Sequence, residues 1–298
     1  MSDSEEISKG PQDLEDEPGL VPEARRPSRK YPWAILVVVV LFVVVPFISW
    51  YGTWFGRPLS DAKLIEYLHD TEKPRSAQHA LSQLAERIEK GDPAAKRFYP
   101  EIIAAASNPS PEVRLTAAWV MGQDNHEDSF HNALLTLVDD PVAGVRHNAA
   151  LSLVRFGDSR ARRELVAMLE PVKVLSPATG TLEVLAKEEG MAVAAGGPLA
   201  RIKLADGSRN ELKASEARRV EVIQARDGDN VEEGQELMTL LPSTEQVWEA
   251  LRALFLIGQQ EDIAAIQRYT RPLSGMPDRV RQQAIAAIEE IRRRASNG

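Results

Sequence analysis

PEVRLTAAWVMG, residues 111–122, returns as AGVRHNAALSLV, residues 143–154, with Val113 and Val145 offset by 32. Working outward, EQVWEALRALFLIG (245–258) and DRVRQQAIAAIEEI (278–291) repeat the theme, with Val247 and Val280 offset by 33. SAQHALSQLAERI (76–88) is a diverged earlier copy. Eight positions after Val113, Val145, Val247 and Val280, and after Ser76 in the diverged copy, stands a large apolar side chain: Met121, Leu153, Phe255, Ile288 and Leu84. Four positions after the same residues most copies carry alanine: Ala80 after Ser76, Ala117 after Val113, Ala149 after Val145 and Ala284 after Val280. This spacing predicts one face of an amphipathic helix whose alanines admit a neighbouring helix closely. A period in the thirties predicts a stack of helix pairs.

Shorter helices are predicted between these copies, at 99–107, 130–138, 160–169 and 261–270. The N-P-S-P and D-D-P turns supply helix stops and caps. With its Val-Arg pairs, Val113-Arg114, Val145-Arg146 and Val280-Arg281, the array resembles HEAT repeats, in particular the short bacterial PBS-lyase HEAT-like kind. In the fourth copy Trp248 replaces the arginine. The resemblance covers about 58–170 and 244–296. It implies an α-solenoid, and such solenoids serve mainly as protein-binding scaffolds. One branch of that family suggests chromophore lyase activity, which no residue here supports. Arg114, Arg146, Trp248 and Arg281 are candidate interaction-surface residues. The alternative role for the arginines is an inter-repeat ion pair to acids such as Asp140.

The helix at 160–169 should be followed by its partner, yet the next copy begins only at Thr244. The segment between, 171–243, has its own symmetry. GTLEVLAKEEGMAVAAGGPLARI (180–202) lies over RRVEVIQARDGDNVEEGQELMTL (218–240) without a gap, at an offset of 38. Leu182 then matches Val220, Gly190 matches Gly228, Gly196 matches Gly234, and Ile202 matches Leu240. Alternating apolar residues between glycine turns predict a small β domain. The duplicated pattern resembles the biotinyl/lipoyl-like barrel-sandwich family, which includes cofactor carriers and the core of membrane-fusion adaptors. In carriers the resemblance places a modified lysine at the hairpin tip joining the halves. Here the predicted tip is Asp206-Gly207, with Lys203 and Lys213 only flanking it, so no cofactor is expected. Membrane-fusion proteins carry a long helical hairpin between the halves, where this chain has KLADGSRNELK, residues 203–213.

Upstream, YPWAILVVVVLFVVVPFISWYGTW (31–54) holds nineteen uncharged residues from Pro32 to Trp50. As one helix these would span ~28 Å, close to the ~30 Å of a bilayer core. Tyr31, Trp33, Trp50, Tyr51 and Trp54 sit at its ends as interfacial aromatics do. Arg25, Arg26, Arg29 and Lys30 crowd the N-terminal side. By the positive-inside rule the N-terminus stays cytoplasmic and the remainder is exported. A single-pass protein of a bacterial inner membrane is expected, with the bilayer contacted through 31–54 and later domains periplasmic. Residues 1–30, rich in acids and prolines, are expected to be a disordered acidic cytoplasmic tail.

The net charge of −8 argues against nucleic-acid binding. The chain has no cysteine, which excludes disulfides, thiolate catalysis and cysteine zinc sites. DNHEDSFH (124–131) offers His126 and His131 as candidate metal ligands beside Asp124, Glu127 and Asp128. Their spacing fits no standard metal motif, and a polar turn with a helix cap accounts for them. The reading is a multidomain protein: one transmembrane helix, then an α-solenoid interrupted by a small all-β domain. The expected function is a non-enzymatic scaffold or adaptor, an accessory subunit docking membrane or periplasmic proteins in a larger complex of transport, secretion or respiration. A carrier- or lyase-like enzyme component and a free-standing envelope protein are the alternatives.

Overall fold

The computed structural model describes residues 32–50 and 58–297, in two units divided after Arg57. The acidic tail 1–30 and the flanking Tyr31, Tyr51 and Trp54 lie outside the described residues. In the first unit, the single helix expected over 31–54 is replaced by three consecutive pieces. These are α1 (Pro32–Val39), a π-helical turn (Val40–Val44) and α2 (Val45–Trp50). Among the described residues no helix is long and apolar enough to cross a membrane. The interruption has a local cause in Pro46, which has no N–H to give and whose ring crowds the carbonyl of the preceding turn. The chain widens just before it, and the Val45 N–H reaches back five residues to the Val40 carbonyl.

The second unit combines helical repeats with antiparallel sheet. Its helices pair as α3 (Asp61–His69) with α4 (Pro74–Glu89), and α5 (Tyr99–Ala105) with α6 (Pro111–Met121). Next come α7 (Asp128–Leu137) with α8 (Ala143–Arg155), α9 (Arg162–Ala167) with α10 (Thr244–Ile257), and α11 (Ile263–Gln267) with α12 (Asp278–Asn297). The second helices, α4, α6, α8, α10 and α12, stack in sequence as one layer. Ala117, Ala149 and Ala284 are fully buried in that layer, as are Leu84, Met121 and Leu153. Two positions depart from the repeat register. Ala77, not Ser76, takes the buried place in α4, and Leu254 is buried in α10 while Phe255 is only half-buried.

The turns repeat as faithfully as the helices. The Asn108 carboxamide accepts from the Ser110 N–H at 2.9 Å, and the Asp140 carboxylate accepts from the Val142 N–H at 2.8 Å. These side-chain turns set the angle at which α6 and α8 begin. Proline opens α4 and α6, where its missing N–H costs nothing.

Between α9 and α10 the chain builds eight strands: β1 (Val172–Leu175), β2 (Gly180–Val184), β3 (Ala192–Val193), β4 (Pro198–Lys203), β5 (Arg209–Lys213), β6 (Arg218–Ile223), β7 (Asn230–Val231) and β8 (Glu236–Pro242). They form two four-stranded antiparallel sheets, ordered β1-β8-β6-β3 and β5-β4-β2-β7. Adding 38 to the first half carries one sheet onto the other. Leu182 lies opposite Ile202 in one sheet, and Val220 opposite Leu240 in the other. These four side chains lie in a core of their own, separate from that of the helices. Burying each contributes about 1.5–3 kcal/mol relative to exposure.

The excursion does not break the solenoid. Leu165 and Met168, before the strands, share one core with Val247 and Leu251, after them. The Gln246 amide donates to the Met168 carbonyl at 3.1 Å, and the Tyr269 hydroxyl donates to the Leu169 carbonyl at 2.6 Å. The β unit is held against the last repeat. Arg268 pairs with Glu221 at 2.8 Å, and the Ser274 hydroxyl donates to the Glu189 carbonyl at 3.2 Å. Gly190 and Gly275, at φ of +86° and +71°, touch there: a Cβ on Gly275 would stand 2.4 Å from the Gly190 carbonyl oxygen.

Candidate interaction face

The arginine ladder lies inside the repeats. The Arg114 guanidinium makes a forked pair with Asp140, Nε to Oδ2 at 2.7 Å and Nη2 to Oδ1 at 3.0 Å. Its remaining donor reaches the Asn108 and Pro109 carbonyls. Arg146 repeats this on the Asp140 and Pro141 carbonyls and pairs with Glu164 at 3.1 Å. The neighbouring guanidinium holds the Asp140 carboxyl below the usual carboxylate range, and the Val142 N–H adds to the effect. Arg281, in the last repeat, turns back on Asp278 of its own helix at 2.7 Å. Trp248 is half-buried with the Arg279 guanidinium 5.3 Å from its ring centre. A further ladder arginine, Arg162, has no Val before it and escaped the sequence pattern. It forks onto Asp262 across the β unit.

Beside Arg146, His147 faces Glu164 of α9 at 3.4 Å. Burial holds its imidazole below the ordinary value, against the pull of Glu216 and Glu164 and with the repulsion of Arg146 and Arg218. The half-buried imidazole of His147 thus lies in the field of charges from both the helices, Arg146 and Glu164, and the β unit, Glu216 and Arg218.

The metal candidates do not converge. His126 is exposed, 3.8 Å from an Asp124 oxygen. Asp124 is engaged by the Tyr99 hydroxyl at 2.8 Å and by the His126 N–H at 3.2 Å. His131 contacts Asp158 at 2.8 Å and stacks on Phe156. Among the described residues no group of three or more His, Asp or Glu side chains is placed to hold a metal ion. At the β4–β5 hairpin, Gly207 takes a φ of +85° and donates its N–H to the Leu204 carbonyl. Asp206 accepts from the Ser208 N–H and hydroxyl. The tip thus consists of Asp206, Gly207 and Ser208, without a lysine.

What the second-helix layer leaves open is a groove of about 780 Å³ between α8 and α10, with α6 and α12 at its margins, lined by apolar side chains and by polar ones such as Gln123, Asn148 and Gln283. Its floor is made by small side chains, Ser152 and Ala253, both buried. Its walls carry Leu151, Phe255 and two prominent apolar residues, Trp119 at 46% exposure and Leu256 at 61%. Neither Trp119 nor Leu256 stands in the buried register of its repeat, so the core pattern passes over both. The available signal was a large apolar residue at a position the helix period assigns to solvent.

Residues 99–175 match the sequence profile of HEAT repeats. No curated protein matches the chain. A solved structure described as that of a single-chain, multi-domain long-chain acyl-CoA carboxylase is similar at 22% identity and a TM-score of 0.23. That likeness covers 39% of this chain, which spans only 12% of the carboxylase. It carries no argument about fold or activity. The chain thus carries HEAT-like repeats within a protein of mixed helical and antiparallel-sheet domains.

Proposed function

We propose that this protein is a membrane-anchored scaffold, an accessory subunit that docks other proteins of a bacterial membrane complex on its second-helix layer. The observation that carries this reading is the groove between α8 and α10, with Trp119 and Leu256 exposed beside a floor of small residues. Aromatic side chains are enriched at protein interfaces, and an exposed tryptophan beside an exposed leucine at a depression fits such a surface. The groove lies on HEAT-like repeats, a fold that serves mainly for protein binding. The anchor is the apolar run 32–50, with the solenoid and β unit exported. In support of that topology stand the absence of charge in the run and the cluster Arg25, Arg26, Arg29 and Lys30 before it.

The β unit is of the biotinyl/lipoyl-like kind and acts as an unmodified docking module rather than a carrier. Two features support this: a hairpin tip without lysine, and the contacts of Arg268 and Gly275 that hold the unit in place. A carrier arm must reach successive sites, which a clamped domain does not.

The test is co-purification of the tagged full-length chain from native membranes in mild detergent. Leu256→Glu should lose a stoichiometric partner that the wild-type chain retains, with unchanged thermal stability. Equal recovery of that partner by both chains would refute groove docking.

A further inference from the structure

The lining of the groove contains more information than its apolarity. Asn148, Leu151, Ser152 and Arg155 lie along α8, and Glu249, Arg252, Ala253 and Leu256 along α10. Both sets follow the i, i+3, i+4, i+7 spacing of a helix ridge. The two ridges face each other over two turns, ~11 Å of helix. Ridges so spaced, above a floor of Ser and Ala, are complementary to the ridge of a third helix. The α8 ridge ends in the guanidinium of Arg155, and the α10 ridge carries that of Arg252 one turn beyond Glu249. Among the described residues the Arg155 guanidinium donates to the neutral Gln123 carboxamide, at 2.9 Å. Arg252 is 58% exposed and no closer than 3.7 Å to Glu249. In a chain of net charge −8, this groove has two cations and one carboxylate.

From this geometry we infer that the occupant of the groove is an amphipathic α-helix of a partner protein, with an apolar row at i, i+3/i+4, i+7 and carboxylates flanking it. The apolar row fills the channel between Trp119, Leu151 and Leu256. The carboxylates meet Arg155 and Arg252, which sets the direction in which the helix lies. The inference rests on the scaffold reading and deepens it by naming the chemistry of the partner.

The test uses the full-length chain in detergent and two synthetic helices of about 18 residues. Both carry the same leucine row; one is flanked by glutamates, the other by lysines. The glutamate helix should bind at least about tenfold more tightly than its lysine twin. Arg155→Glu/Arg252→Glu should abolish or invert that preference, while circular dichroism and melting temperature stay unchanged. Equal binding, preference for the lysine helix, or no binding of either would overturn the inference. Loss of the native partner in Leu256→Glu, together with any of those results, would leave groove docking standing and remove only the acidic-helix occupant.

Discussion

Arg162 and Asp262 stand 100 residues apart in sequence and fork onto each other at 2.7 and 3.0 Å, closing the solenoid behind the β unit. Glu261 adds a contact at 3.0 Å, and Asp262 also accepts from the Gln259 N–H at 2.8 Å. Because both partners are largely buried, the arginine serves as counter-charge for a carboxylate that water does not reach. Arg162→Ala should therefore destabilise by about 2 kcal/mol, less than a fully isolated charge because the Gln259 N–H remains. For a unit of this size that lowers the melting temperature by roughly 4–8 °C in calorimetry. An unchanged melt would mean that the two flanks of the β unit are held by the hydrophobic core alone.

Acid should unfold the chain in two windows. His147 has a lowered value in the fold, so its neutral form is favoured there. Its contribution is present above the unfolded imidazole value, ~6.5, and is lost as pH falls through the folded value. The lowered carboxyl of Asp140 contributes above the unfolded value of ~3.9 and is lost only at still lower pH. Denaturant melts across pH should show the upper step vanish in His147→Gln and the lower step shrink in Asp140→Asn. A wild-type chain with flat stability from pH 7 to 5 would remove the imidazole from this account.

Gly275→Ala should loosen the β unit. The added methyl meets the Gly190 carbonyl at 2.4 Å, and φ of +71° strains any L side chain. Hydrogen exchange should accelerate at 188–191 and 273–276, with the helices around Leu153 protected as before. Exchange unchanged in both loops would show that the close approach is not needed for docking.

Intact mass of the protein purified from its native cells should equal that of the unmodified chain. A lipoyl or biotinyl increment on Lys203 or Lys213 would turn the β unit back into a carrier.

The helical repeat was legible in the sequence because burial falls on one face: Val113 and Val145 mark the same place in successive turns, and Asn108 and Asp140 cap the same corner. Antiparallel sheet was legible from the glycines at 190, 196, 228 and 234, all at positive φ. The strand β1 was not, although it falls 38 residues before β5, which only the Asp206-Gly207 turn signalled. As sheet edges both are mostly exposed, and residues such as Lys173, Arg209 and Glu211 erase the apolar alternation. The Val-Arg rule identified Arg114 and Arg146 but passed over Arg162, whose partner lies beyond the β unit. It marked Arg281 as equivalent, yet Arg281 pairs with Asp278 one turn back on its own helix rather than with an acid of a neighbouring repeat. The groove was illegible for a different reason: Trp119 and Leu256 come together only when α6, α8 and α10 stack, and no spacing within one helix records that.

Site-specific photocrosslinking tests the central claim most directly. With p-benzoylphenylalanine at position 119 in the groove, or at position 183 on the charged outer face of the second sheet, the full-length chain would be irradiated in its native cells. Groove docking predicts one dominant partner crosslinked from position 119, lost in Leu256→Glu, with none from position 183. No crosslink from position 119, or the same products from both positions, would contradict it.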